Sequence, residues 1–428
     1  MKSMATFKIS KIKRMTLWII FLVLIYIVLL IKILNFQNPE LSTFLLFYSL
    51  AVSVYILSRF LIAHFYVPER LTSDSYEPTI SFGVPAKNEE NVIYQTISSI
   101  AKLDYPKTKM EIICVDDGST DNTLDEMRRA QRKYSKSGLD IQVTSFARNM
   151  GKREGMAYCV NHSTNEIMIF IDSDSLVEKQ AVRELVKFMD DPKVGAVTAH
   201  TYVANEDKNI LTKMQSIRYF VAFKAYKGSE SIFGTVTCCS GPCSAYRRKY
   251  LLEVLEAWLQ QTFLSVRCTY GDDRSLTNAL LQKGYRTLYS PTAKVYTFVP
   301  EGLRLYLKQQ IRWKKSWTRE CVRASFFMWR KNPIMSASFY MGFILPLLAP
   351  YIVFRAFLLY PVLNQRLPGY YLFGVVIMTL IMGVYYMVYT DDKYWVKAVL
   401  FSTLFSILFF WQLPYAIVTL RNNSWGTR

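Results

Sequence analysis

Ile167-Met168-Ile169-Phe170-Ile171-Asp172-Ser173-Asp174 is a short apolar run that ends on two carboxylates, two positions apart. A run of this length bounded by polar residues reads as a buried strand. Acids at a strand end can both be aimed at one cation. Carboxylate ligands without a nearby histidine suit Mg2+ or Mn2+. Such an ion would bridge a diphosphate and neutralise its charge as it leaves. A plainer reading is a polar turn capping the next helix, since Ser and Asp are good N-caps.

The same alternation extends on both sides. Thr79–Pro85, Glu111–Val115 and Ile141–Phe146 are also strand-like, and a helical pattern near Asn91–Leu103 lies between the first two. This predicts an α/β domain over residues 66–300, with a Rossmann-like, mostly parallel sheet and helices on both faces. Ligands bind beyond the carboxyl ends of such strands. Val115-Asp116-Asp117-Gly118-Ser119 falls there and offers two acids to a nucleobase or ribose, or else forms an Asx turn. Asn149-Met150-Gly151-Lys152-Arg153 supplies adjacent cations for phosphate. It is not a P-loop, because the upstream glycine is missing.

The apolar excess gathers at the chain ends. Residues 15–34 and 41–57, the latter extended by Phe60 to Ala63, are each long enough to cross a bilayer. A cleaved signal would have a shorter apolar region and a small-residue cleavage site, so both read as retained spans. Lys8, Lys11, Lys13 and Arg14 precede the first span, whereas the link Asn35–Glu40 has no Lys or Arg. The positive-inside rule then puts the N-terminus and residues after about Ala63 in the cytoplasm. Residues 301–332 suit amphipathic helices lying at the membrane interface. Within 333–428, spans are expected near Ile334–Tyr360 and Tyr371–Tyr389, followed by a last apolar stretch, Trp395–Leu420. The expected division is therefore 1–65, 66–300, 301–332 and 333–428.

The 428-residue chain carries a formal charge of +19. Nucleic acid is one reading of that surplus. Basic flanks against anionic lipid explain it better, and an anionic substrate is a third source. Seven cysteines lie in or just after the expected cytoplasmic region, where reducing conditions argue against disulfides. Cys239-Ser240-Gly241-Pro242-Cys243 is not a zinc spacing, and the chain has three histidines.

Two further clusters carry chemistry. Gly271-Asp272-Asp273-Arg274 precedes a helix start at Ser275-Leu276-Thr277-Asn278. One acid there can serve as general base on a sugar hydroxyl, with the arginine orienting the other. The plainer reading is a cap with a surface ion pair. Gln309-Gln310-Ile311-Arg312-Trp313 lies on the amphipathic stretch. Arg312 suits a departing diphosphate and Trp313 a stacked sugar ring, or both are interface anchors.

An acidic pair after a strand, Asp-x-Asp, Gly-Asp-Asp-Arg and Gln-x-x-Arg-Trp, in that order between membrane spans, resembles the processive membrane glycosyltransferases of family two. That family includes cellulose, chitin and hyaluronan synthases, and the resemblance covers nearly the whole chain. Gly151-Lys152-Arg153, Cys239-Ser240-Gly241-Pro242, Tyr270-Gly271-Asp272-Asp273-Arg274, the run from Gln309 to Ser316 and Trp425-Gly426-Thr427-Arg428 are most similar to the bacterial and viral hyaluronan synthases. Lys87-Asn88-Glu89 departs from the Tyr-Asn-Glu common in bacterial relatives.

The resemblance implies a role for each position. Ala86, Lys87, Glu89, Asp116 and Asp117 would surround the uridine, and Lys152 would face the diphosphate. Asp172 and Asp174 would hold nucleotide and Mg2+ or Mn2+, Asp174 more directly. Asp273 would be the base, with Asp272 beside it in the catalytic pair. Gln309, Arg312, Trp313 and Cys268 would meet the diphosphate and acceptor. Trp425 and Arg428 would gate the nucleotide.

The expected donors are UDP-GlcNAc and UDP-glucuronate. The growing polysaccharide and membrane lipid are the other partners, and nucleic acid is not one. The expected location is the plasma membrane, multi-pass, with a cytoplasmic catalytic domain and a polymer carried outward. Single-donor synthases of chitin-like or other β-linked polymers, and a glucose–glucuronate capsule synthase, are close alternatives. An export channel would need no carboxylate set, and a lipid-phosphate sugar transferase would lack Gln-x-x-Arg-Trp. A fifth full span would put a terminal gate outside, so the last stretch is expected to re-enter or break near Pro414.

Overall fold

The computed structural model describes residues 11–34, 43–68, 76–390 and 395–422. Lys8, the link 35–40, Trp425 and Arg428, on which the expected orientation and gate draw, lie outside these residues. The chain divides into two compact units, Met1–His64 with Ser336–Tyr415, and Phe65–Met335 with Ala416–Arg428. The amphipathic helix and the described end of the chain, up to Asn422, thus group with the α/β domain.

That domain is built on an eight-stranded sheet. In chain order the strands are β1 (Ile80–Ala86), β2 (Met110–Asp116), β3 (Asp140–Ser145), β4 (Ile167–Phe170), β5 (Ser175–Val177), β6 (Val194–Val203), β7 (Ser244–Arg247), a two-residue pair β8 (Thr262–Phe263) and β9 (Val266–Arg267), and β10 (Arg286–Thr297). The sheet order is β3-β2-β1-β4-β7-β6-β10-β5. β3, β2, β1 and β4 run parallel, as do β6 and β10. β7 is antiparallel to both β4 and β6, and β5 to β10. The sheet is therefore mixed, with a parallel block at the site.

β1 and β2 are buried along their whole length, as strands covered on both faces must be. Their side chains alternate between two apolar layers. Ile112 and Cys114 of β2 join Ile80, Phe82, Ile97 and Met127 on one side. Ile113 and Val115 join Met156, Val160, Trp258 and Leu280 on the other. Each large aliphatic side chain buried this way contributes about 1.5–3 kcal/mol.

Register sets the rim of the site. Ala86 of β1 stands opposite Asp116 of β2, which stands opposite Ser145 of β3. β4 pairs with β1 up to Gly83 and Phe170, and the Ile171 N–H still reaches the Gly83 carbonyl at 3.1 Å. At the next residue the chain changes partner, because Asp172 N–H bonds the Gly241 carbonyl at 3.2 Å. Asp172 thus leaves the sheet between a parallel neighbour, β1, and an antiparallel one, β7, at the carboxyl end of β4, the kind of place where open sheets bind ligands. Asp172-Ser173-Asp174 leads into β5 and does not cap a helix.

In the other unit, four helices are long and apolar enough to cross a membrane: Met15–Leu34, Thr43–His64, Pro333–Asn364 and Tyr371–Thr390. Phe21, Phe60 and Tyr385 pack there, with Phe60 and Tyr385 centroids 4.5 Å apart. Pro346 and Pro350 lie inside the third helix, which passes through a π-helical turn at Arg355–Leu359. The last apolar stretch is two helices, Trp395–Leu408 and Gln412–Val418. The break precedes Pro414, which stands in the first turn of the second helix, where a missing N–H costs nothing.

Candidate active site

Three loops leave the carboxyl ends of β1, β2 and β4. The Ala86 carbonyl accepts the Asp117 N–H at 2.8 Å, and Asn88 and Ser119 cross-link the first two loops at 2.9 Å. Asn88 holds a left-handed φ of 54°, a conformation Asn tolerates. Glu89 is buried and its N–H bonds Thr123 Oγ1 at 2.7 Å, while Lys87 stays half-buried. Asp116 is buried and accepts from Ser145 Oγ at 2.7 Å and Ser119 N–H at 3.2 Å. Asp117 accepts the N–H groups of Met150 at 2.6 Å and Gly151 at 3.0 Å. In this arrangement Asp117 fixes the turn that starts the helix Lys152–His162.

Lys152 is the first residue of that helix, and its ammonium pairs with Asp172 Oδ1. Burial pulls the ammonium down, but Asp172, Asp272 and Asp273 outweigh it and hold it above its usual range. Asp174 is the opposite case. Burial and the neighbouring Asp172 push its carboxyl up to about 7, against Lys152 and a long contact with Thr297. Two acids therefore share one nearby ammonium, and a divalent cation would relieve the remaining repulsion. Among the described residues there is no group of three or more His, Cys, Asp or Glu ready to hold a metal. Two carboxylates completed by substrate phosphates match the way Mg2+ is commonly bound, so the residues fit such an ion.

Gly241 walls Asp172 on its far side. A Cβ there would lie 2.6 Å from Asp172 Oδ2, so only glycine leaves the carboxylate its place. Gly271, just before the second acidic pair, is confined instead by Ser316 and Arg319 of the helix packed against it. It has a φ of 77°, and a Cβ would meet Ser316 Oγ at 1.9 Å. Asp272 and Asp273 then open the helix Asp272–Gln282, where the helix dipole favours negative charge.

The two acids diverge. Asp272 is buried and accepts from Arg153 Nε at 2.8 Å. The same guanidinium reaches Ser275 Oγ at 2.9 Å, Gln261 Oε1 at 3.1 Å and the Trp258 carbonyl at 3.0 Å. This corrects three expectations. Asp272 is held in a buried pair, Arg153 is not a phosphate cation, and the partner of Asp272 is not Arg274. Consecutive helical residues point about 100° apart, which lets Lys152 meet Asp172 while Arg153 turns to Asp272. Asp273 is half-buried, with Oδ1 accepting the Arg274 N–H at 2.8 Å and Oδ2 accepting from Cys238 Sγ at 3.4 Å.

The helix Leu303–Ser325 brings a third set. Gln309, Arg312 and Trp313 share one face, by their spacing of three and four. Gln309 Oε1 is buried without a hydrogen-bond partner among the described residues. Burial lowers the Arg312 guanidinium, opposed by Asp272, Asp273 and Asp172. Trp313 is 38% exposed, its ring centroid 6.3 Å from that of Tyr219. Burial, Asp174 and Asp172 all raise Tyr219, which places its ring beside the first acidic pair as well. Sequence reasoning missed Tyr219, because the helix Ile210–Val221 mixes polar and apolar residues and Arg218-Tyr219 does not stand out on it.

A buried polar network joins this helix to the second acidic pair. Glu320 accepts from Gln261 at 2.8 Å, Arg319 at 2.9 Å and Asn278 at 3.2 Å. Arg319 also donates to the Tyr270 carbonyl. Cys268 is 3% exposed and packed near Arg319, Arg153 and Glu320, so it belongs to this network and does not face an acceptor. The described end of the chain returns here too. The Asn422 carbonyl accepts from Tyr270 OH and from Lys315 Nζ, each at 3.3 Å.

A mixed sheet with acids at its reversal point, an ammonium at a helix start and a third acid opposite defines a nucleotide-sugar transferase. Residues 81–255 match the model of Glycosyl transferase family 2. A hyaluronan synthase of Streptococcus pyogenes is 31% identical over 424 residues, covering 95% of this chain and 97% of its own length. An N-acetylglucosaminyltransferase of Rhizobium meliloti is 30% identical, covering 82% of each chain. The solved mannosyltransferase PcManGT from Pyrobaculum calidifontis, in complex with GDP-Man and Mn2+, shares the fold at TM-score 0.61. It is 20% identical and covers 89% of this chain and 99% of its own. The chain belongs to the family-two glycosyltransferases of hyaluronan synthase type, and is a membrane glycosyltransferase.

Proposed function

We propose that the chain is a processive, inverting synthase that alternates UDP-GlcNAc and UDP-glucuronate into hyaluronan and passes the polymer through its own membrane helices. The observation that carries this reading is the convergence of Lys152, Asp172, Asp273 and Arg312 on one electrostatic cluster. The full-length likeness to a hyaluronan synthase supports the choice of donors. The four apolar helices and the basic N-terminal flank support a cytoplasmic catalytic domain in the plasma membrane.

Lys152 and Arg312 bind the diphosphate and stabilise the charge that develops on it, the task for which preorganised cations serve best. Asp172 and Asp174 would hold Mg2+ or Mn2+, which supplies charge neutralisation on the leaving diphosphate. Asp273 accepts the proton of the acceptor hydroxyl as that oxygen attacks the anomeric carbon. Cations facing the leaving group make a separate general acid unnecessary. Trp313 and Tyr219 present aromatic faces to the acceptor sugar, and Gln309 offers a buried acceptor oxygen. Ala86, Lys87, Glu89 and Asp116 line the nucleoside end. The contacts of Asn422 with Tyr270 and Lys315 support a role for the chain end at this site, and Trp425 and Arg428, the gate the resemblance implies, lie outside the described residues.

The test is donor dependence. Purified protein with Mg2+ or Mn2+ receives UDP-GlcNAc and UDP-glucuronate singly and together. High polymer is expected only with both. Polymer from UDP-GlcNAc alone would replace this reading with a single-donor, chitin-type synthase.

A further inference from the structure

Four consecutive residues, Cys238 to Gly241, touch both halves of the site. Cys238 Sγ donates to Asp273 Oδ2 at 3.4 Å. The Cys239 N–H bonds Thr277 Oγ1 at 2.9 Å, and that hydroxyl donates to the Asp273 carbonyl at 2.6 Å. Ser240 is fixed by its N–H to Thr198 Oγ1 at 3.1 Å and by its carbonyl, which accepts from Ser244 Oγ at 2.7 Å. The Gly241 carbonyl accepts the Asp172 N–H at 3.2 Å. The segment therefore runs from Asp273 to Asp172.

Lys227 holds this segment from outside. It is 8% exposed, its ammonium donates to Ser240 Oγ, and it lies 4.1 Å from the Phe223 ring centroid. It ends the π-helical turn Ala222–Lys227, a distortion that recurs at functional sites. Burial lowers the ammonium, opposed by Cys238, Cys239, Asp273 and Glu230. A buried cation retained at such a place needs a reason beyond packing.

We propose that Cys238 and Lys227 are positioning residues for the transfer. The thiol orients the Asp273 carboxylate, and the ammonium, through Ser240, fixes the strut that spaces Asp273 from Asp172. The inference rests on Asp273 being the base. A thiol is a weak donor, so it steers Oδ2 without stabilising the anion as a hydroxyl would. Oδ1 already accepts a backbone N–H, which leaves Oδ2 the freer oxygen for the incoming proton. Burial and Asp273 push the Cys238 thiol up to about 12, so it stays a donor at working pH. The cations facing Asp273 are Lys152, Lys227, Arg274 and Arg312.

The experiment uses the purified full chain and the variants Cys238→Ala, Cys238→Ser, Lys227→Met and Lys227→Arg, with Asp273→Asn alongside. UDP affinity by calorimetry reports whether the donor half is intact. Cys238→Ala and Lys227→Met are expected to lower kcat about ten-fold or more, with UDP affinity and UDP-GlcNAc KM within about two-fold. Lys227→Arg restores most of the rate. Cys238→Ser, which keeps a donor facing Oδ2, is expected to retain more of the rate than Cys238→Ala. Wild-type kcat in Cys238→Ala would overturn the proposal. So would a loss of UDP affinity that matches the loss of kcat, which marks a structural role. If Asp273→Asn itself makes polymer normally, the base assignment fails; if only Asp273→Asn is inactive, the positioning claim fails alone.

Discussion

Asp272 and Asp273 leave the first turn of one helix about 100° apart, and that angle divides their work. Asp272 meets Arg153 inside the protein, whereas Asp273 turns toward Cys238 and the cleft. No local pattern separates them, because the deciding partner lies 119 residues away. Asp172 and Asp174 were easier to read, since an apolar run ending on two acids is a local signal. Breaking the buried pair leaves a charge without compensation. Arg153→Met should therefore cost about 3–5 kcal/mol of stability, read by denaturation of the purified chain. A loss below about 1 kcal/mol would mean that Asp272 is solvated. Gly241→Ala drives a methyl into Asp172 and should lower kcat/KM for the donor about ten-fold or more while the sheet still folds. Unchanged donor kinetics would show that the wall at Gly241 is dispensable.

At the scale of elements, the parallel block was legible because fully buried strands read as continuous apolar runs. The insertion of β7 between β4 and β6 was not, since Ser244–Arg247 is short and its direction depends on partners far along the chain. The amphipathic helix was legible from its mixture of aromatic and basic residues. Its attachment through Glu320 was not, because the residues bonded to that acid come from separate elements. β6 carries a pH-sensitive feature. Burial, then Lys224, Lys227 and Lys294, push the His200 imidazole down to about 3, so the fold holds it neutral. Its contribution is present above about pH 6.5 and is lost as pH falls toward 3, at about 1.4 kcal/mol per unit. His200→Gln should flatten that acid decline in thermal denaturation of the purified chain. An unchanged decline would assign acid sensitivity to the carboxylates.

At the scale of the molecule, the spans follow from length and apolar content alone. The end of the chain required the structure, where the last apolar stretch breaks before Pro414 and Asn422 lies against Tyr270. A tag after Arg428 should then be labelled only after cells are permeabilised, and labelling of intact cells would contradict a cytoplasmic gate. The +19 charge says less, because lipid headgroups and anionic sugars draw on it equally.

The account turns on one proton transfer at Asp273, so the most direct measurement compares the wild-type chain with Asp273→Asn. Polymer synthesis from both donors is followed beside calorimetric UDP binding. The account predicts a loss of synthesis on the order of 10²-fold or more, with UDP affinity within about two-fold of wild type. Near-normal synthesis by Asp273→Asn would contradict it.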